Sequence, residues 1–228
     1  MAGRKTQAVL FDIDGTLIST GGASDRAWKR AFKELQDVDV DVPAVTGKGV
    51  PDPEVGRVVF ASAVGRQPTQ EEADSLMRRR LDHLSEEVEN SPGFVVKDGV
   101  VELLDRLIDD GLLLGLTTGN VEEAAHIKLQ RANLNRYFSF GGYGSDSPDR
   151  TELTKKALER GELVSGDTLD RDRCFSCGDT PRDVEAGHGA GIRVVGVATG
   201  EFTVDELKEA GADAAIESFE DGLPLLVA

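Results

Sequence analysis

The sequence predicts an α/β protein: a doubly wound parallel sheet with a helical segment inserted after its first strand. Three observations predict it. Short apolar runs alternate with amphipathic stretches through the carboxy-terminal part, most of those stretches end at a glycine, and the interval from about 20 to 92 holds helical patterns only.

Ala8-Val9-Leu10-Phe11 is an apolar run of the kind a strand buried on both faces requires, and it stops abruptly at Asp12-Ile13-Asp14-Gly15-Thr16. Similar runs cover 112–117, 173–177 and 192–197, with a weaker one at 214–216. Between them, helical spacing covers 100–109, 121–132, 151–160, 181–190 and 203–210; Gly111, Gly161, Gly191 and Gly211 read as helix stops, because glycine takes the left-handed cap conformation cheaply. Within the insertion, Ser24 to Gln36, Asp52 to Val64 and Glu71 to Val88 have amphipathic spacing. Gly21-Gly22 and Ser91-Pro92-Gly93 mark its two junctions, as a hinged lid would need. The expected division is a core of 1–19 and 93–228, with a helical lid of 20–92.

The 228 residues carry 26 basic against 42 acidic side chains, a formal net charge of −16. That balance argues against nucleic-acid and anionic-membrane partners, which are bound by clustered Lys and Arg. The amino terminus lacks the apolar stretch of a signal peptide, and no run of about 18 apolar residues suggests a membrane span. With two cysteines a disulfide framework is not expected, and a reducing cytoplasm is. Cys174 and Cys177 match Cys-x-x-Cys, but residues three apart on a strand face opposite sides, so the expected role is core packing. His83, His126 and His188 have no metal-site spacing and read as surface or packing residues.

Ligands of parallel α/β sheets bind beyond the carboxyl ends of the strands, so polar residues there are the first candidates. One strand end supplies Asp12, Asp14, Gly15 and Thr16; another Thr117, Thr118, Gly119 and Asn120; a third Gly178, Asp179, Thr180 and Asp183; Asp149 and Arg150 precede a helix. Asp and Thr at such junctions are common helix caps. Here, however, Asp12, Asp14 and Asp179 are expected to converge, and converging carboxylates repel one another unless a hard dication such as Mg²⁺ takes their oxygens.

The segments Phe11-Asp12-Ile13-Asp14-Gly15-Thr16-Leu17, Leu116-Thr117-Thr118-Gly119-Asn120 and Gly178-Asp179-Thr180-Pro181-Arg182-Asp183 resemble, in that order, the motifs of the haloacid dehalogenase superfamily. The resemblance covers essentially the whole chain and points to the phosphoglycolate phosphatase-like branch. It implies a Rossmann-like core with an inserted helical cap, Asp12 as nucleophile forming an aspartyl phosphate, Asp14 as general acid and then base, and Thr118 as a ligand of the transferring phosphoryl group. It further implies Mg²⁺ held by Asp12, the Asp14 main-chain carbonyl and Asp179, with Asp183 nearby or reaching it through water. Thr16, Gly119 and Asn120 are the accompanying substrate-binding candidates.

One motif departs from the family pattern. Where a lysine, often followed by proline, is usual, the chain has Asp149-Arg150-Thr151 and, more than a turn later, Lys155-Lys156. Arg150, at a helix entry, is the expected basic residue, with the two lysines as alternatives. In the insertion, Gly47-Lys48-Gly49 resembles a cap loop that reaches the leaving group, and Lys48 is expected to meet a substrate carboxylate or phosphate. Asp14 favours phosphoryl transfer over halide displacement, since halide needs no proton. The expected enzyme is a phosphatase acting on a small phosphorylated metabolite such as a phosphoglycolate-like phosphomonoester. A phosphosugar mutase and a non-catalytic phosphate-binding module are the alternatives.

Overall fold

The computed structural model describes residues 7–223. The chain opens with β1 (Ala8–Phe11) and β2 (Ile18–Ser19), then enters α1 (Ala23–Gln36), α2 (Val42–Val45), α3 (Asp52–Val64) and α4 (Gln70–Glu89), and returns through β3 (Val95–Val96). Alternation follows: α5 (Val100–Asp109), β4 (Leu113–Thr117), α6 (Glu122–Gln130), β5 (Phe140–Gly142), α7 (Arg150–Ser165), β6 (Cys174–Gly178), α8 (Pro181–Gly189), β7 (Arg193–Val197), α9 (Val204–Glu209) and β8 (Ala214–Ile216). Six strands form one wholly parallel sheet in the order β5-β4-β1-β6-β7-β8, the α/β architecture the sequence predicts. The other two form a small antiparallel pair at the root of the insertion, Ile18 opposite Val96 and Ser19 opposite Val95.

β1 sits at the point where the winding changes direction, with β4 on one side and β6 on the other. Crevices of this kind lie at the carboxyl ends of the strands. Register does the rest: Phe11 is level with Leu116 and Cys177, so the chain positions just beyond, Asp12, Thr117-Thr118 and Gly178-Asp179, emerge side by side. The period of two in a strand divides the core between the faces. Val9 and Phe11 join one apolar cluster, Ala8 and Leu10 the other. Phe11, fully buried and edge-on to Phe138 and Phe219 at 6.0 Å, contributes roughly 1.5–3 kcal/mol by its burial and so anchors the strand that carries Asp12. Cys174 and Cys177 are free and fall on opposite faces in the same way. Burial pushes the Cys174 thiol up to about 11 and raises that of Cys177 as well, which leaves both inert.

The short elements β2, α2 and β3 were not expected, and two larger differences concern glycines. Gly161 does not stop a helix: α7 runs on to Ser165 and ends at Gly166 in the left-handed region. Gly161 is needed for space instead, because a Cβ there would stand 2.9 Å from the Phe140 ring and 3.1 Å from Leu169. β5 was not expected, since Phe140-Gly141-Gly142 offers no apolar run. Its glycines let α7 lie directly on it, and a Cβ on Gly142 would collide with the Leu153 carbonyl.

The insertion has its own apolar centre, with Trp28, Phe32, Val55, Val59, Phe60 and Leu76 buried together. A second cluster seats it on the sheet layer: Ala23, Ala27, Leu84 and Val88 pack against Val121 and Ala124 at the start of α6. The insertion therefore lies over the carboxyl ends of the strands.

Candidate active site

The turn after β1 is tight, with Leu17 N–H and Ile18 N–H both donating to the Ile13 carbonyl at 3.0 and 3.1 Å. Gly15 makes it possible. Its φ is +90°, and a Cβ there would stand 2.3 Å from Asp179 Oδ2. The turn projects Asp12 and Asp14 toward a cavity of about 390 Å³ that is also lined by Thr118, Gly119, Asn120, Arg150, Asp179, Lys48 and Lys128.

Asp12, Asp179 and Asp183, all buried, each offer an oxygen within 4.8 Å of the others. Asp183 combines capping with function. Its Oδ2 accepts Thr180 N–H at 3.0 Å and Thr180 Oγ–H at 2.7 Å, starting α8, while Oδ1 contacts Arg150. Thr16, fully buried, donates its hydroxyl to Asp179 Oδ1 at 2.9 Å, so it serves the carboxylate. Burial first, and then the charge of Asp183, push Asp12 up to about 7 although Arg150 pulls it down. Burial, Asp183 and Asp12 push Asp179 up to about 8. An all-oxygen set of mutually repelling carboxylates is the donor chemistry of a hard divalent cation, and these residues fit one.

Asp14 stands apart from that cluster. Burial alone would raise its carboxyl, but the ammonium of Lys128, 2.6 Å from Oδ2, outweighs burial together with hydrogen bonds from Lys128 and Asn120 and holds it below its ordinary value. Asn120 links the corner to the next motif, donating its amide to Asp14 Oδ2 and to Thr118 Oγ1 at 2.8 Å each and accepting from Lys128 at 2.6 Å. Thr117 and Thr118 point different ways. The hydroxyl of Thr117 meets Thr154 at 2.7 Å, behind the site, whereas Thr118 lines the cavity.

Arg150 enters the site from the first turn of α7, which Asp149 caps by accepting Thr151 N–H at 2.8 Å. Its guanidinium is buried beside Asp183, lies 3.5 Å from Asp12, and donates to the Gly49 carbonyl of the insertion at 3.1 Å. Lys155 and Lys156 do not join it. They are half exposed and pair with Glu152 and Glu159 on the outer face of α7. Lys48 lines the cavity mouth, exposed, with Glu201 at 3.4 Å. His83, His126 and His188 pair at the surface with Glu34, Asn135 and Asp213.

Sequence reasoning missed Lys128 and the pair Asp52–Arg80, of which Lys128 and Arg80 are buried to 2% and 0% exposure. A signal was present. In α6 the buried positions are Ala124, Ala125, Lys128 and Leu129, and in α4 they are Leu76, Arg80, Leu84 and Val88, so each base interrupts an apolar stripe.

A carboxylate cluster at the switch point of a parallel α/β sheet, with a basic residue and a threonine facing it, is suited to a divalent cation and an anionic group, and the class is that of the hydrolases matched by a family model. The chain belongs to the haloacid dehalogenase-like hydrolases, whose family model matches residues 9–197, and it is a phosphatase of the phosphoglycolate phosphatase-like kind. It is 30% identical to a phosphoglycolate phosphatase of Mesorhizobium japonicum over 93% of this chain and 91% of that one. It is 29% identical to an N-acetylmuramic acid 6-phosphate phosphatase of Pseudomonas aeruginosa, again over 93% and 91%. Among solved structures, CbbY from Rhodobacter sphaeroides in complex with phosphate shares the fold with a TM-score of 0.74 at 20% identity, covering 97% of this chain and 98% of that one. A hydrolase from Pseudomonas syringae does so with a TM-score of 0.71 at 21% identity, covering 96% and 97%.

Proposed function

We propose that the protein is a Mg²⁺-dependent phosphatase that hydrolyses a small phosphomonoester through a phosphorylated Asp12. The convergence of Asp12, Asp14, Thr118, Arg150 and Asp179 on one cavity, with Asp183 grouped behind Asp12 and Asp179, carries the reading.

Asp12 attacks phosphorus, the bond from phosphorus to the leaving oxygen breaks, and Asp14, ionised beside Lys128, relays to that oxygen a proton from the Lys128 ammonium 2.6 Å away. Water then attacks the acyl phosphate, Asp14 takes a proton from it and returns it to Lys128, and phosphate departs with Asp12 restored as a carboxylate. Arg150 and Thr118 hold the phosphoryl oxygens, the first as a charged fork and the second as a hydroxyl donor. Lys128 and Asn120 fix the rotamer of Asp14 from behind. The metal would be held by the side chains of Asp12, Asp179 and Asp183, with the Asp14 main-chain carbonyl as the resemblance implies. Its chemistry there is to offset the repulsion between a carboxylate and a phosphate dianion.

The helices between about 20 and 92 act as the cap in this reading. Named relatives act on a two-carbon acid phosphate in one case and an amino-sugar phosphate in another, so the substrate class is a small phosphorylated metabolite whose leaving group the cap selects. Among the described residues no helix is long and apolar enough to cross a membrane, and a cytoplasmic location completes the proposal. A panel of phosphorylated metabolites assayed for kcat/KM with the parent and Asp12→Asn tests it. Phosphate release that persists in Asp12→Asn rejects the nucleophile, and no release from any ester rejects the activity.

A further inference from the structure

Asp52 and Arg80 form a buried ion pair that the chemistry above leaves unused. Arg80 donates from Nη1 and Nη2 to the two Asp52 oxygens at 3.0 Å each, and Nη2 reaches Ser24 Oγ at 3.2 Å. Its guanidinium lies over Trp28, 5.1 Å from the ring centre. Charges taken out of water are costly to keep, and such a pair is weak evidence of a contribution to stability.

Two further hydrogen bonds of Asp52 cross to the catalytic body. Its main-chain N–H donates to the Gly119 carbonyl at 2.8 Å, and its Oδ2 accepts Val121 N–H at 3.0 Å. Gly119 and Val121 flank Asn120, and Gly119 directly follows Thr118. α6 has no side-chain cap from its own N-cap residue, Val121, so the acceptor at that end comes from the insertion. The approach is close, since a Cβ on Gly119 would stand 3.1 Å from Pro51 Cα. Although Asp52 lines the cavity wall, both its oxygens are engaged by protein, Oδ1 by Arg80 and Oδ2 by Arg80 and Val121 N–H, which commits the carboxylate to holding the loop.

We infer that Asp52, itself oriented by Arg80, is a positioning residue for the segment Thr118–Asn120, so that the helical insertion supplies part of the phosphoryl-binding scaffold. The inference rests on the reading of Thr118 as a phosphoryl ligand.

The test uses the full chain with Mg²⁺ and p-nitrophenyl phosphate at a temperature where every variant is folded by circular dichroism. Asp52→Ala and Asp52→Asn are expected to lower kcat about 10- to 100-fold while KM changes less than about threefold, because a small misplacement of a catalytic segment acts on the transition state. Amide exchange at Val121, read by NMR, accelerates in the same variants. Arg80→Met follows Asp52→Asn, and the double variant Asp52→Asn/Arg80→Gln, which rebuilds a neutral hydrogen-bonded pair, recovers part of the loss, whereas unrelated defects would add. Variants that melt earlier yet keep kcat within about twofold of the parent, with Val121 exchange unchanged, overturn the inference and leave a purely structural pair. If Asp52→Ala does not fold, the near-isosteric Asp52→Asn decides by the same two readouts. Failure of the phosphatase reading shows separately, as a parent that releases no phosphate from any ester, and failure of the nucleophile assignment as turnover that survives Asp12→Asn; an inactive Asp12→Asn beside unaffected Asp52 variants rejects the positioning role alone.

Discussion

Asp12 and Asp14 lie two residues apart in one turn, yet the first is pushed up to about 7 and the second held below the ordinary carboxylate value. The cause lies in their neighbours. Around Asp12 stand Asp179 and Asp183 with a single base, Arg150, whose guanidinium is shared between two of the three carboxylates. Around Asp14 stand Lys128 and Asn120, which between them direct an ammonium and an amide donor at one oxygen. The first corner sets one positive charge against three carboxylates, an imbalance that a divalent cation would offset. The second carries its own compensation and is built to keep one side chain still.

The sharpest way to break this comparison is Asp12→Asn, which keeps the shape of the side chain but cannot attack phosphorus. The expected loss in kcat on p-nitrophenyl phosphate is at least about 1,000-fold, measured at saturating Mg²⁺. A loss below about tenfold would remove the first corner from the chemistry.

Metal removal comes next. Dialysis against EDTA should lower kcat by about 100-fold, with recovery on adding Mg²⁺. The pH dependence follows from sign: with Asp12 raised to about 7 and Asp179 to about 8, protons compete with the cation below those values. Calorimetric titration should therefore show Mg²⁺ binding about fiftyfold tighter at pH 7 than at pH 6 and about tenfold tighter again at pH 8, levelling above that. The metal-free chain should behave the opposite way. Its folded carboxyls hold protons that the unfolded ones release near 3.8, so the stability they contribute is present in acid and lost as pH rises through 7 to 8.

Lys128→Met sharpens the second corner. With the Lys128 proton gone and Asp14 no longer held in place, kcat should fall about 10- to 100-fold on an alkyl phosphate, whose leaving oxygen needs a proton, and clearly less on p-nitrophenyl phosphate, whose leaving group departs as an anion. Equal losses on both esters would assign Lys128 to phosphate binding instead. The smallest effect is thermodynamic. Asp179→Asn relieves repulsion in the metal-free protein and should raise its melting temperature by about 2–4 °C at pH 8, and by less at pH 5 where Asp179 is already protonated. A lower melting temperature at pH 8 would show that the three carboxylates do not burden one another.

Most of the sheet was legible because fully buried parallel strands read as apolar runs, and the first motif was legible because polar residues at a strand end have few other reasons to gather. β5 was not, since two of its three residues are glycines chosen for the closeness of α7. β2 and β3 are two residues long, too short for any periodicity. At the site, Asp12 and Asp179 were expected to converge with Asp14 as the third carboxylate, but the structure puts Asp183 in that place and turns Asp14 to Lys128. The roles of Thr16 and Asn120 were not legible, because each bonds a carboxylate from a different part of the sequence, a fact of register and not of spacing. Lys128 and Arg80 were passed over because an apolar stripe in a helix invites the reader to treat a single long basic residue as snorkelling outward.

The antiparallel pair at the root of the insertion brings its entry and exit together, Ser19 beside Val95 and the backbone of Gly21 against that of Gly93. Because both crossings occupy one spot, the whole helical segment is transplantable: another segment with adjacent ends can replace it without altering the spacing of β1 from β4. A graft is not free of obligations, however. It must arrive with an acceptor for the Val121 N–H, a donor for the Gly119 carbonyl and a carbonyl for Arg150, or the new specificity comes attached to a loosened phosphoryl site.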